Sequence, residues 1–545
     1  MQRAKHQVLR ETTREYLETL DKSNPPPLEQ IEQELLYQIE LQFDLENSVK
    51  PKGRKWKIPE ALSFPLIADI LAALYPICTI SCAGKDADKD YDLLAIYQPD
   101  GDDAGIYVTH EDTFRKLARK LNYCITGHEF DELMRTLRNI VPQKVRTMDP
   151  NLIAVNNGIF DYEKKVLMDF SPDYVFLAKS RVAYNPNAVN VTIHNDADGT
   201  DWDVETWISE LSDDPEIVQL IWEILGAIVR PYVSWDKSAW FYSTSGSNGK
   251  GSLCALMRNL CGPGSCANIP LSDFGKDFML EPLTRATAIV VDENDVGSYI
   301  DRAANLKAIV THDVIAINIK FQSPIAYQFF GFMVQCLNEF PRIKDKSDSF
   351  YRRQLFIPFD KCFTGRERKY IKSDYLTRPD VLEYVLHKVL HMDYYQLSEP
   401  AACKEALAEY KDFNDPVRQF AEEMLPLCKW DLLPFGFLYD LYKSWYKRNS
   451  PSGSVQGKNT FINDLLSVLP SFSDWICEGK SKQTRSAHRM DWPEPLIAEY
   501  NLGEWMNPIY NGLDMDKRCL PLVKDKYTGG LLRVSAPQVA NDDDT

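Results

Sequence analysis

Residues 238–260 read SAWFYSTSGSNGKGSLCALMRNL. A short apolar strand at 239–242 runs into a Gly/Ser/Asn turn that ends in Gly249 and Lys250, and an amphipathic helix follows at once. Leu253, Leu256, Met257 and Leu260 fall at i, i+3, i+4 and i+7, which is one stripe of a helix, whereas the strand is a continuous apolar run. Strand, glycine turn and helix in that order form a phosphate-binding loop. Inward backbone N–H groups, the positive end of a helix and a lysine ammonium together surround the β- and γ-phosphates of a nucleotide. Gly246 and Gly249 stand where the chain must turn tightly and approach phosphate oxygens. The generic spacing asks for glycine where Thr244 stands and for a hydroxyl where Gly251 stands; Ser252, one place later, is the hydroxyl on offer to Mg²⁺. Taken alone, the stretch also reads as an ordinary strand-turn-helix.

Two later strand ends complete a nucleotide site. The run at 288–291 ends in Asp292 and Glu293. A carboxylate at the end of a buried strand needs a positive partner, and hydrated Mg²⁺ held by Asp292 supplies one while Glu293 polarises the attacking water. A third apolar run, 332–337, ends at Asn338, whose amide can orient water and touch the γ-phosphate. Beyond it stand Arg352 and Arg353. A rigid, always-charged guanidinium fork matches phosphate oxygens and can be offered to a neighbouring subunit's nucleotide; the alternative is a solvated pair stapling a strand.

These strings resemble the superfamily 3 helicase module of phage and plasmid primase-helicases, which is similar also to the replicative helicase of poxviruses. The matching segments are GSNGKGS at 246–252, IVVDEND at 289–295 and LNEFPRIKDKSDSFYRRQLFIPF at 337–359, with NNGIFDYEKKVLMDFSPDY at 156–174 upstream. The resemblance implies an α/β fold with an AAA+ type P-loop core, in which the Asn338 strand lies between the phosphate-loop strand and the Asp292–Glu293 strand. It implies ATP held by Gly246, Ser247, Asn248, Gly249, Lys250, Gly251 and Ser252, with Mg²⁺ on Asp292 and Ser252. It also implies a homo-oligomeric ring, a hexamer, with Arg352 and Arg353 acting in trans. Residues 306–322, LKAIVTHDVIAINIKFQ, resemble the hairpin that lines the ring's channel, with Lys320 gripping a DNA phosphate and Lys307 reaching either ATP or the strand. Thr311-His312-Asp313 stands where many relatives show Thr-Gly-Gly-Asp. The activity implied is ATP-driven 3′ to 5′ movement on single-stranded and forked DNA during replication of a phage, plasmid or mobile element, with a separate primase or initiator as a further partner. Two other readings stay open: a DNA-binding initiator that hydrolyses ATP slowly, and a primase activity in residues 1–150.

With 545 residues and 44% apolar content the chain can build two to four cored domains. It shows no run of eighteen apolar residues and begins with a polar helix, so a soluble protein in the cytoplasm of a bacterial host is expected, with no membrane partner. A net charge of −17 argues against coating duplex DNA with the whole surface, but a narrow basic channel is compatible with it. The twelve cysteines are scattered without a recurring CxxC pair, which reads as free thiols.

Six segments are expected. Residues 1–57 form a helical arm, broken at Pro25, Pro26 and Pro27, and a basic linker, in which Lys50, Lys52, Arg54, Lys55 and Lys57 around Trp56 suit either single-strand contact or solvation. An α/β accessory domain at 58–200 precedes the helicase core at 201–365. A helical lid or linker follows at 366–425. Residues 426–530, with the basic run Lys480, Lys482, Arg485, His488 and Arg489, read as a winged-helix DNA-binding module or an ordinary mainly helical lid, and 531–545 as a disordered acidic tail. The alternating Asp86, Asp88, Asp90 and Asp92 lack the glycine and closing glutamate of a calcium loop and read as a solvated acidic turn. His387 and His391 are helically spaced, but Lys388 stands where a zinc protease needs its glutamate, so both read as packing residues.

Overall fold

A computed structural model describes residues 3–81, 92–295, 299–300, 302–320, 324–343, 345–449, 455–479, 482–486, 488–521 and 525–536. Asp86, Asp88, Asp90, Lys480, Gln322 and the tail from 537 lie outside the described residues. The chain divides into two units, 1–407 and 408–545.

The first unit opens with helices Lys5–Thr19 and Leu28–Ser48, parted at the proline triplet. Ile31, Leu35, Ile39 and Phe43 recur at helical spacing and are fully buried against helices Phe64–Leu74, Glu111–Leu121 and Gly127–Ile140. A four-stranded sheet completes this part, in the order Tyr107–Val108, Leu93–Tyr97, Ile77–Ser81, Gln143–Val145. Trp56 belongs to this core. Its backbone N–H donates to Asn47 Oδ1 at 2.7 Å, its carbonyl accepts from Asn47 Nδ2 at 3.0 Å, and its ring edge meets Phe43. Lys50 lies over the same ring, so the aromatic of the basic stretch is engaged within the fold, which favours the solvated alternative over single-strand contact.

The larger core surrounds five parallel strands in the order Cys266–Ala267, Ala288–Val291, Phe332–Leu337, Ser238–Tyr242, Gln354–Pro358. All-parallel strands are covered on both faces, so they read as continuous apolar runs rather than as alternating ones. Ala239 and Phe241 face the stripe Leu253, Leu256, Met257 and Leu260 of helix Lys250–Cys261, together with helices Pro215–Val229 and Pro379–His391. Trp240, one residue out of phase, faces the other way onto Phe350 and Phe356. Pro215 at the first helical position and the Asp214 side chain accepting the Glu216 N–H start the long helix cleanly. His387 and His391 stack on each other with centroids 4.1 Å apart and on Tyr184, which is a packing role.

The expected channel hairpin differs in its bounds. Residues 306–310 belong to helix Ala304–Val310, and the antiparallel strands are Val314–Ile317 and Ile325–Gln328. His312 explains how the turn manages without a glycine pair. Its φ is +55°, its ring stacks on Phe330, Nδ1 lies 2.9 Å from the Phe329 carbonyl, and its own carbonyl accepts from Gln328. Packing thus holds a conformation that glycine adopts without cost.

In the second unit, helices Pro416–Met424, Phe435–Asn449 and Lys458–Val468 pack around Trp430, Phe437, Tyr442 and Phe461. Their partner is an antiparallel sheet in the order Leu432–Pro434, Gly530–Arg533, Trp475–Ile476. Two residues of the basic run expected here have acidic neighbours, Lys482 with Glu478 at 2.7 Å and His488 3.1 Å from Asp491, and Arg489 is buried. Among the described residues, no helix is long and apolar enough to cross a membrane.

Candidate nucleotide site

The phosphate loop leaves the sheet at Tyr242 and turns through 243–249 into the helix that starts at Lys250. Gly249 is required on two counts. Its φ is +85°, and a Cβ there would stand 2.5 Å from Leu211 Cδ2. The N–H groups of Ser252 and Leu253 return to the Gly249 carbonyl, so the N–H groups of Lys250 and Gly251 are the ones left open at the helix start among the described residues. Asn248 Nδ2 donates to the Ser245 carbonyl at 2.6 Å and tightens the turn.

Lys250 is 5% exposed, and its Nζ donates to the Leu337 carbonyl at 2.8 Å, to Asn338 Oδ1 at 3.1 Å and to the Ser243 carbonyl at 3.5 Å. Two residues 88 positions apart therefore meet at the carboxyl end of adjacent parallel strands, because Tyr242 is in register with Leu337. Burial pushes the ammonium's pKa down, and an anion placed at the loop would offset that cost.

At the next strand end, Asp292 is held by Arg258 of the loop helix through a two-pronged contact: Nη1 to Oδ2 at 3.1 Å and Nη2 to Oδ1 at 2.9 Å. Arg258 Nη2 also donates to the Val290 carbonyl. The guanidinium holds the Asp292 carboxyl below the usual carboxylate range. Its contribution to stability is therefore complete at neutral pH and is lost as pH falls through the lowered pKa. Because this side chain is 38% exposed, Arg258→Ala is expected to cost about 0.2–1 kcal/mol. Carboxyl NMR should show the Asp292 pKa rising toward its ordinary value in that variant. Glu293 beside it is exposed.

The arginine pair is divided. Arg352 is exposed, whereas the Arg353 guanidinium folds back onto the Ser349 carbonyl and the Arg353 carbonyl accepts from Ser238 N at 2.8 Å. Neither bonds the phosphate loop of its own chain among the described residues. Lys307 Nζ pairs with Asp345 Oδ2 at 2.5 Å, and Lys320 is exposed where the chain leaves the first hairpin strand.

A cavity of about 1250 Å³ opens over the loop, lined by Ser247, Asn248, Gly249, Gly251 and Ser252 on one side. Its other wall comes from 361–373, at the expected junction of core and lid and with no site residue expected in it, which contributes Lys361, Arg366, Arg368, Lys369 and Lys372. This wall touches the loop directly. Phe363 N donates to the Ser247 carbonyl at 2.7 Å, and the Ser247 hydroxyl donates to Glu367 Oε1 at 2.9 Å. The density of basic residues in KCFTGRERKYIK was the one available signal, and nothing in that string says which strand it returns to. Buried ammonium, open helix start, left-handed glycine and a cation-lined cavity fit a nucleoside triphosphate with its divalent cation.

Three families match the chain: "D5 N terminal like" over 49–225, "Family of unknown function (DUF5906)" over 241–353 and "Poxvirus D5 protein-like" over 413–492. No curated protein matches it. Among solved structures, the apo A form of the NrS-1 C-terminal region is 14% identical, with 86% of this chain and 98% of that one covered and a TM-score of 0.40. A JCV helicase structure is 17% identical over 44% of this chain and 63% of that one, with a TM-score of 0.24. The two D5 models match on either side of the phosphate loop, and over those two stretches the chain is similar to D5-like proteins.

Proposed function

We propose that the protein is an ATP-dependent DNA helicase of replication, working as a hexameric ring that moves 3′ to 5′ on single-stranded and forked DNA of a phage, plasmid or mobile element. The observation that carries this reading is the meeting of Lys250 Nζ and Asn338 Oδ1 at 3.1 Å, at the tips of neighbouring parallel strands. The order of the five strands supports an AAA+ type core, since the strand ending in Asn338 lies between those ending at the phosphate loop and at Asp292. The sheet order and three helices of the second unit support a winged-helix module there.

Each side chain then has a task. The loop from Gly246 to Ser252 holds the phosphates of ATP through its backbone, and Lys250 adds a fixed charge where negative charge develops. Asn338 positions the attacking water and Glu293 polarises it. Mg²⁺, held by Asp292 and Ser252, would neutralise phosphate charge when bound. Arg352, the exposed member of the pair, reaches the neighbouring subunit's nucleotide, with Arg353 fixing the strand beside it. Lys320 grips a DNA phosphate, and Lys307, if released from Asp345, reaches the same strand or the nucleotide.

The bidentate hold of Arg258 on Asp292 favours one second reading, an origin-binding initiator with slow hydrolysis. ATP turnover with and without single-stranded DNA separates the two. The helicase reading expects stimulation by DNA and unwinding of a fork, and expects Lys320→Ala to abolish the stimulation. Binding of a fluorescent ATP analogue to the variant distinguishes a lost grip on DNA from a damaged nucleotide site. Turnover that ignores DNA in the intact protein removes the helicase reading.

A further inference from the structure

We infer that Lys372 is a second cation for the phosphates of the nucleotide, supplied by the same chain and standing beside the first turn of the loop helix at Gly251. The inference rests on the nucleotide site proposed above. Lys372 lies in the short helix Lys369–Ser373, which packs against the phosphate-loop helix. Its Nζ is 3.6 Å from the place a Cβ on Gly251 would occupy, and the same residue lines the cavity with Ser247, Asn248, Gly249 and Ser252. Its charge also reaches the strand end: Asp292 is stabilised as an anion first by Arg258 and, more weakly, by Lys372. The ammonium thus stands between the first turn of the loop helix and the acidic strand, where the outer phosphates of a bound nucleotide would lie.

One other cation of the wall is already engaged. Lys361 is paired with Asp213 at 2.7 Å, whereas Lys372 has no carboxylate within ion-pair distance among the described residues. Several like charges gathered on one cavity wall repel each other until a polyanion fills the space. A Cβ on Gly251 would sit in ordinary van der Waals contact with this ammonium, which places Lys372 directly against the helix start. The phosphates would then be held by a buried lysine on one side and by a solvent-facing lysine on the other.

Steady-state ATP hydrolysis by the full chain with Mg²⁺ tests this. Lys372→Ala is expected to raise the KM for ATP about ten-fold, the loss of one charge-assisted phosphate contact, with kcat less affected. The affinity for a fluorescent ATP analogue should fall in parallel, Lys372→Glu should weaken both further, and Lys372→Arg should retain most of both. Since Lys372 is exposed, none of these variants removes packing. If wild type hydrolyses ATP, Lys250→Ala does not, and Lys372→Ala keeps the wild-type KM and analogue affinity, the role of Lys372 is overturned while the nucleotide site stands. If wild type fails to bind or hydrolyse ATP, the nucleotide site falls and this inference with it.

Discussion

Lys250→Ala is expected to lower ATP turnover by the full chain at least about a hundred-fold, the scale of losing a fixed charge at a transferring phosphoryl group. The fold should survive the change. Burial lowers the pKa of Lys250, which means that folding disfavours its charged form, so the ammonium is a cost to the free protein at neutral pH rather than a support. For a lysine with a depressed pKa, that cost fades as pH rises above the folded value and is greatest below it. The three oxygens that now receive the ammonium, Leu337 O, Asn338 Oδ1 and Ser243 O, offset part of the cost. Phosphate oxygens would offset more. Removing the side chain therefore strips the site of its charge while leaving the sheet and helix packing untouched. The check is a pair of measurements: turnover, and the unfolding midpoint. A variant that loses turnover only in proportion to a large drop in midpoint would show that Lys250 acts as a structural pin.

The elements around this site could be read from the sequence where burial imposes a period. Residues 239–242, 288–291 and 332–337 are apolar without interruption because both faces of a parallel sheet are covered, and Leu253, Leu256, Met257 and Leu260 recur at helical spacing because one helix face is. The meeting of Lys250 with Asn338 followed from strand order, which the family resemblance implied and local pattern could not. Contacts made by long side chains across elements were opaque. Arg258 sits eight residues past Lys250 with no marker that its guanidinium will turn to Asp292, and Lys372 is an unremarkable member of a basic string until the chain returns it to Gly251. For Trp56 the lysine-flanked pattern left single-strand contact and a solvated linker open, and only the fold shows its ring set against Phe43 and Lys50. In the run near 482–489, Lys482 and His488 have acidic neighbours four and three residues away, Glu478 and Asp491, which a single turn brings to them.

Arg230→Ala is expected to destabilise the first unit by about 3–5 kcal/mol, the range for truncating a large, fully buried side chain. Arg230 follows the last residue of helix Pro215–Val229, is 0% exposed, and donates through Nη1 to the Tyr394 carbonyl at 2.7 Å. Four rings surround its guanidinium: Tyr162 at 3.6 Å, Tyr395 at 4.9 Å, Tyr394 at 5.2 Å and Trp235 at 5.3 Å from the ring centroids. The cage matters to the site because Tyr394 also donates to the Glu223 carbonyl, and so ties the end of helix Pro379–His391 to the long helix behind the phosphate loop. Two forces compete in it. Cation–π attraction and the helix C-terminus favour the charge, but Nε and Nη2 are buried without partners, a desolvation cost that an apolar stem would escape. Arg230→Met separates them by keeping most of the volume and none of the charge. If packing dominates, chemical denaturation should show the methionine variant recovering more than half of the stability that alanine loses. A methionine variant as weak as the alanine one would mean that the charge among the rings, not the filled volume, holds these helices together.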